Sequence, residues 1–374
     1  MPYDSSQAMK SLAYNPTVCC SSSNIFLVLK QPKLWLSLSI AIPNAMIAAG
    51  LQIYITYLGD PNNKLTDGLI NDNAVFKTLT FFVVFLAAFR IDAGYNKFWS
   101  GCEYVYEIVG DLFDGTSDLV AFTRESKAPA KEVEDFHHLL IRLISLFNSL
   151  IFGELESGAD RISMAAEGGE EIRAFSFELL DVQGIDDESI DWLLDADNKV
   201  EQVFCWIQMV IVDAMARKLF TVPSPILTRS LSDIGLAVVH FHEAQKITEV
   251  PFPFPYMMAL QILLVTHWCF VPIVMVDWTT YTSWTFIFAF CNVWALWFFI
   301  GLAVELEMPF QHTRNSVDMR YLQKLLNSRL LCLLESHSRP TPHLLPGTSQ
   351  RKILRSDLKK PEFCKSLAEL IAAY

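Results

Sequence analysis

Charge is missing from four long stretches of this 374-residue chain. Residues 34–58, 78–89, 256–276 and 281–304 contain no Asp, Glu, Lys or Arg. With 52% hydrophobic residues and a positive mean hydropathy, these runs exclude an ordinary soluble protein. Paired cysteine spacings are missing too. The eight cysteines stand singly, apart from Cys19-Cys20, so neither a disulfide framework nor a thiolate metal site is expected. They read as reduced or buried thiols. The Cys19-Cys20 pair admits acylation, with a plain pair in a tail as the simpler reading. No Walker loop, GxSxG or HExxH occurs, and no enzymatic activity is expected. Residues 1–24 hold one Lys, no Arg and one acid, and they lack the apolar core of a secretory signal. We read them as a mobile tail.

Acid is present in excess, but only locally. Residues 154–201 carry 15 acids against 3 bases, which is the whole of the formal charge of −12. The rest of the chain is neutral, so this is an acidic insert and not an acidic protein. Its spacing is not that of a calcium loop, and a solvated surface is the expected role. His240 and His242 stand two apart on an expected helix and point away from each other, so no metal site is read there. The basic stretch 351–360 suits either an anionic lipid surface or a solvated tail. No nucleic-acid partner is expected.

The uncharged runs are long enough to cross the roughly 30 Å hydrocarbon layer as helices, except the second, which is short for a lipid-facing span. Four transmembrane helices follow, at about 34–58, 74–89, 256–276 and 281–304. Pro43 and Pro272 interrupt the first and third. Trp35, Tyr54 and Tyr57 suit interface anchors. Residues 59–73 are rich in turn formers. Residues 90–107 continue the second span as an amphipathic helix. Residues 90–250 form a large water-soluble helical region. In it, 133–152 places Phe136, Leu139, Leu140, Leu143 and Phe147 on one face. Further helices are expected over 187–198, with Asp186 as N-cap, and over 200–220 and 230–247, separated by Pro223 and Pro225. A polar helix runs to about 335, and 336–374 form a linker and tail with a short helix over 363–373. Four spans put both termini and the 90–250 region on one side. That side holds 27 of the 29 Lys and Arg residues, with only Lys64 and Lys77 across the membrane.

Phe81, Phe85 and Phe89 recur every fourth residue and stack on one helical stripe roughly 12 Å long. Phe82 and Val84 keep the rest of that cylinder apolar. Periodicity leaves lipid, another helix and a pore open as what the stripe faces, with lipid or helix packing the default.

Three motifs resemble one family. FRIDAGYNKFW at residues 89–99 is similar to the FRxNxSYxRWW motif of the bestrophin anion channels. KITEVPFPFPY at 246–256 resembles the family's RIxxTPIPFAY stretch before the third span, and ELEMPF at 305–310 its E-[IL]-E-x-P-F after the fourth. The likeness covers roughly residues 25–330. It implies an all-α homopentamer around one central pore lined by the second span, with membrane lipid, further copies of the chain and inorganic anions as partners. Phe81, Phe85 and Phe89 fall on the family's three apolar neck positions, which turns the stripe to the axis. Such a tube gates by dewetting and favours weakly hydrated anions, with aromatic ring edges toward the ion. Arg90 and Lys97, seven residues apart on one helical face, then attract anions just inside the neck. The alternative is an ion pair with a neighbouring helix, even in weight for Arg90 and favoured for Lys97. Pro251, Pro253 and Tyr256 shape a helix break at the neck's edge, whose freed N–H groups are a lesser candidate for facing an anion. Asp92 and Ser100 replace the family's Asn and Glu. The calcium-binding acidic run of animal members corresponds to residues 311–315, which lack carboxylates, so no calcium clasp and no other cofactor is expected. The implied function is passive conduction of chloride, with bicarbonate open as a second ion. A coupled anion transporter and a membrane scaffold with an acidic domain are the alternatives. The membrane is the plasma membrane or an internal one such as a plastid's.

Overall fold

The computed structural model describes residues 32–57, 73–163, 177–181, 184–311 and 316–338. The expected tail 1–24, most of the 59–73 connection, the centre of the acidic insert, most of 311–315 and the C-terminal linker, basic stretch and short helix lie outside them. Among the described residues every regular element is helical and there is no strand. Residues 1–333 form one compact unit and 334–374 a second. In chain order the helices are α1 Pro32–Tyr57, α2 Asn73–Phe122, α3 Ala130–Ser163, α4 Asp187–Asp195, α5 Lys199–Ala216, α6 Ser224–Glu249, α7 Phe254–Trp278, α8 Thr282–Leu306 and α9 Met319–Ser338.

The four uncharged runs fall in α1, the first part of α2, α7 and α8, except that residue 58 lies outside the described residues and Tyr281 is the N-cap of α8. By length and composition five helical stretches suffice to cross a membrane: α1, α2, α3, the α6–α7 run and α8. α3 differs from the others in burial. Its apolar window is 78% buried inside the chain, against 17% for α8. A helix covered on most sides by protein is a core element. Leu140, Leu143, Ile144, Phe147, Ile151 and Leu155 of α3 are all buried. Leu139, expected on the same face, lies at its exposed edge.

α1 packs along α8 and α7, while α2 packs along α6 and α8. Ala41, Ala45 and Ala48 are wholly buried and let the α1 backbone come close to its neighbours. Pro43 sits within α1 without ending it. Next to it the buried Asn44 amide donates to the Trp268 carbonyl at 2.7 Å, tying α1 to α7.

α2 is one helix of 50 residues, about 75 Å long at 1.5 Å per residue. Its buried side is cut away by glycines where other backbones approach. A Cβ at Gly94 would lie 2.9 Å from the Ala303 carbonyl oxygen of α8, and one at Gly115 would lie 2.9 Å from that of Ser230 on α6. Backbone cannot swing aside as a side-chain tip can. Gly94→Ala is expected to cost about 1–3 kcal/mol through overpacking, read as a lower melting temperature of the purified protein. Gly110→Ala, which meets nothing within 4 Å, is the control and gains helix propensity.

Both ends of the acidic segment fall among the described residues. Asp186 caps α4 as expected, accepting from the Ser189 amide at 2.9 Å, and bonding from the Ser189 side chain and then that amide holds its carboxyl below the usual range. α4 stops at Asp195, short of the expected 198, because Ala196 is extended. Residues 177–181 are bound from below by buried side chains of α3 and α9. Asn327 Nδ2 donates to the Glu178 carbonyl at 2.7 Å, Ser145 Oγ accepts from the Leu180 amide, and Asn148 Nδ2 donates to Gln323 at 2.6 Å. The Ser145, Asn148, Gln323 and Asn327 side chains are buried, so their bonds offset a desolvation cost of about 1–3 kcal/mol per group.

Candidate functional site

A helix advances about 100° per residue, so α2 has two distinct sides. Val83, Ala87, Arg90, Gly94, Gly101 and Val105 lie on one, all buried against α6, α7, α8 and the segment after α8. Phe81, Phe85 and Phe89 lie on the other, 63%, 57% and 54% exposed. Among the described residues little covers them beyond one another and, for Phe89, the Tyr256 ring, although rings of this size are normally among the best-covered groups of a fold. The Phe81 and Phe85 rings stack with centroids 6.1 Å apart. Phe82 and Val84 at the flanks are exposed as well.

The break between α6 and α7 meets this stripe at its third ring. Val250 ends α6, Pro253 precedes α7, and Pro255 stands in its first turn. The Tyr256 ring lies 5.6 Å from Phe89 and 5.0 Å from Phe252, and its hydroxyl donates to the Leu86 carbonyl at 2.5 Å. Tyr256 thus pins the start of α7 to α2. The start of α7 has few amides to offer an anion. Pro253 and Pro255 have no N–H, and the Tyr256 and Met257 amides bond back to the Pro253 carbonyl.

Arg90 and Lys97 share a face, as expected, but it is turned from the phenylalanines, about 180° and 160° round from Phe81 and about 100° and 80° round from Phe89. Arg90 is 4% exposed. Its Nε donates to Glu307 Oε1 at 3.0 Å, and its guanidinium also lies over the Phe252 ring. Of the two readings held open for Arg90, the ion pair is the one the geometry shows. Lys97 donates to the Val250 carbonyl at 2.7 Å and borders a cavity of about 50 Å³ with Glu307, Thr248 and Phe252. Burial lowers the pKa of its ammonium, and the nearby Glu307 carboxylate acts in the opposite direction. Neither cation is turned toward the Phe stripe, which departs from their expected place beside an anion path.

Glu307 is the residue the sequence reading missed. It stands inside the quoted ELEMPF motif, where its carboxylate received no role. A buried guanidinium needs a partner, and Arg90 falls on the packed side of the wheel, so an acid in the next motif was the available signal.

Asp92 lies on the exposed face with the phenylalanines and accepts from Asn96 Nδ2 at 3.3 Å. His240 and His242 take separate partners. His240 Nδ1 is 2.9 Å from Asp111 with its ring stacked on Tyr104, while His242 is 3.5 Å from Glu201. Burial raises the Asp111 carboxyl above the usual range, and His240 pulls it back. Among the described residues no group of three His, Cys, Asp or Glu side chains is placed to hold a metal ion.

Long apolar helices joined to a helical extramembrane region define an integral membrane protein. The family described as Bacterial/Fungal Bestrophin protein matches residues 21–331, and the chain belongs to that family. The fold agrees. A bacterial bestrophin homologue from Klebsiella pneumoniae, crystallised with a single substitution, superposes with a TM-score of 0.62 at 15% identity, covering 81% of this chain and 99% of that one. A second substituted form from the same organism gives 0.63 at 14% identity, over 82% and 100%. A crystal structure described only as a membrane protein gives 0.64 at 14% identity, over 83% and 100%. No curated protein matches the chain.

Proposed function

We propose that this chain is the subunit of a homopentameric, anion-selective channel for chloride, with bicarbonate as a second permeant ion. In this reading four helices cross the membrane: α1, the first part of α2, α7 and α8. α3 remains in the cytosolic bundle. Five copies of α2 surround the axis, and Phe81, Phe85 and Phe89 form three aromatic rings that make the neck. One observation carries the reading. The three phenylalanines stay more than half exposed while Val83, Ala87, Arg90 and Gly94 on the opposite side of the same helix are buried. Further copies of the chain and a narrow file of ions are what would cover them. A neck of that kind conducts when wetted and closes by dewetting. Arg90 serves here to fix the end of α8 against α2. No cofactor and no calcium at 311–315 is required. Lipid surrounds the outer faces of α1 and α8, in a plasma or internal membrane.

Purified protein in liposomes under a chloride gradient tests this. The expected result is unitary currents that reverse near the chloride equilibrium potential. Small coupled fluxes without unitary steps would point to a transporter, and silence from correctly assembled protein would point to a scaffold. Either outcome overturns the channel.

A further inference from the structure

We infer that the outer face of α5, flanked by Trp192 of α4, is a docking surface for a partner protein that presents a basic amphipathic helix. This surface is independent of what the phenylalanines of α2 face. α5 packs on α3 with Val203, Ile207, Ile211 and Ala214 buried on one side. A surface helix normally turns polar residues outward from such a stripe. α5 does not. Cys205, Met209, Val212 and Ala216 fall within about 60° of one another on the opposite side, and all four are exposed. Their separations of four, three and four residues are those of a seam between two helices. Trp206 stands at the flank of the seam, where its ring lies 6.1 Å from that of Trp192. Trp192, Met209 and Val212 are each more than half exposed. Tryptophan is the residue that most often anchors an interface, and methionine adapts to the shape of what it meets.

The charge around the seam chooses the occupant. Residues 186–213 hold eight acids and one base, Lys199, and all eight acids are exposed. Lys199 is turned to the Ala196 carbonyl, and Glu201 lies 3.5 Å from His242. Arg217 and Lys218 come only after the helix has ended. An apolar seam bordered by acid fits a helix that carries Lys or Arg beside its own apolar stripe. A second copy of the same face would bring acid against acid, and an anionic lipid surface would be repelled.

The probe is a fluorescein-labelled peptide of about 20 residues, long enough to be helical, with Leu at heptad spacing and Lys elsewhere. The same residues in scrambled order form its control. The full-length protein is held in nanodiscs of zwitterionic lipid, and binding is read by fluorescence anisotropy against empty discs. Wild type is expected to bind the heptad peptide about tenfold more tightly than the scrambled one, with an affinity that falls as salt rises. Met209→Ser/Val212→Ser should lose about tenfold in affinity. Asp191→Asn/Asp195→Asn should weaken binding and flatten its salt dependence. None of these four side chains is buried, and Trp192→Ser gives a second apolar variant with the same expected direction. Equal binding by wild type and Met209→Ser/Val212→Ser overturns the inference, as does binding to empty discs that matches binding to loaded ones. A size-exclusion shift of Met209→Ser/Val212→Ser to fewer subunits overturns it too, because another copy of the chain then covers the face. Chloride currents are expected to be the same in wild type and these variants. Their absence from wild type would remove the channel reading and leave the docking result untouched.

Discussion

Alanine at positions 81, 85 and 89 together is expected to raise unitary conductance about tenfold, equivalent to lowering the barrier by roughly 1.4 kcal/mol. Each phenyl ring removed from a narrow apolar tube widens it, and a wider tube stays wetted more of the time. Closed intervals should shorten for the same reason. The rings are exposed in the single chain, with their main intrachain contacts to one another and, for Phe89, to Tyr256. Their loss therefore opens little cavity in the subunit core, and the variant is expected to assemble. Single-channel recording in planar bilayers checks it. An unchanged conductance would mean that the stripe is covered by lipid or by a neighbouring helix and lies off the ion path.

Glu307→Ala should be the most damaging single substitution in the region, costing about 3–5 kcal/mol. It leaves the Arg90 guanidinium almost fully buried without its carboxylate, and removes the negative charge next to Lys97. The double variant Arg90→Met/Glu307→Leu should recover much of that loss, because an apolar pair of similar size avoids burying either charge. Thermal unfolding of the detergent-purified protein, arranged as a double-mutant cycle, measures both. If Glu307→Ala melts with the wild type, water reaches the pair and the guanidinium is not stranded.

The helices were legible because they are long and uncharged, and hydropathy marks such segments strongly. The cap at Asp186 and the breaks at Pro223 and Pro253 were legible because each has a local chemical cause. Arg90 shows where the reading stopped. Its helical phase relative to Phe81 is simple arithmetic and already placed it on the packed side. Its partner is 217 positions away in sequence, and no local rule links them. Both residues stand in the motifs shared with the family, and nothing in either motif joins them. Leu139 shows a smaller limit of the same kind. Helical phase put it with Leu140 and Leu143, but the edge of a buried face depends on how far α5 reaches across it. The close approach at Gly94 also needed the neighbouring backbone in place.

Because α2 runs unbroken from Asn73 to Phe122, the Phe81–Phe89 stripe has no hinge of its own. Phe122 and Phe81 are ends of one stiff rod, roughly 60 Å apart. A twist applied at the α6 end is delivered to the aromatic rings as rotation of the whole shaft. Anything that grips the far half of α2, a ligand or a partner, therefore works on the aromatic stripe by torque, with no relay of side chains in between.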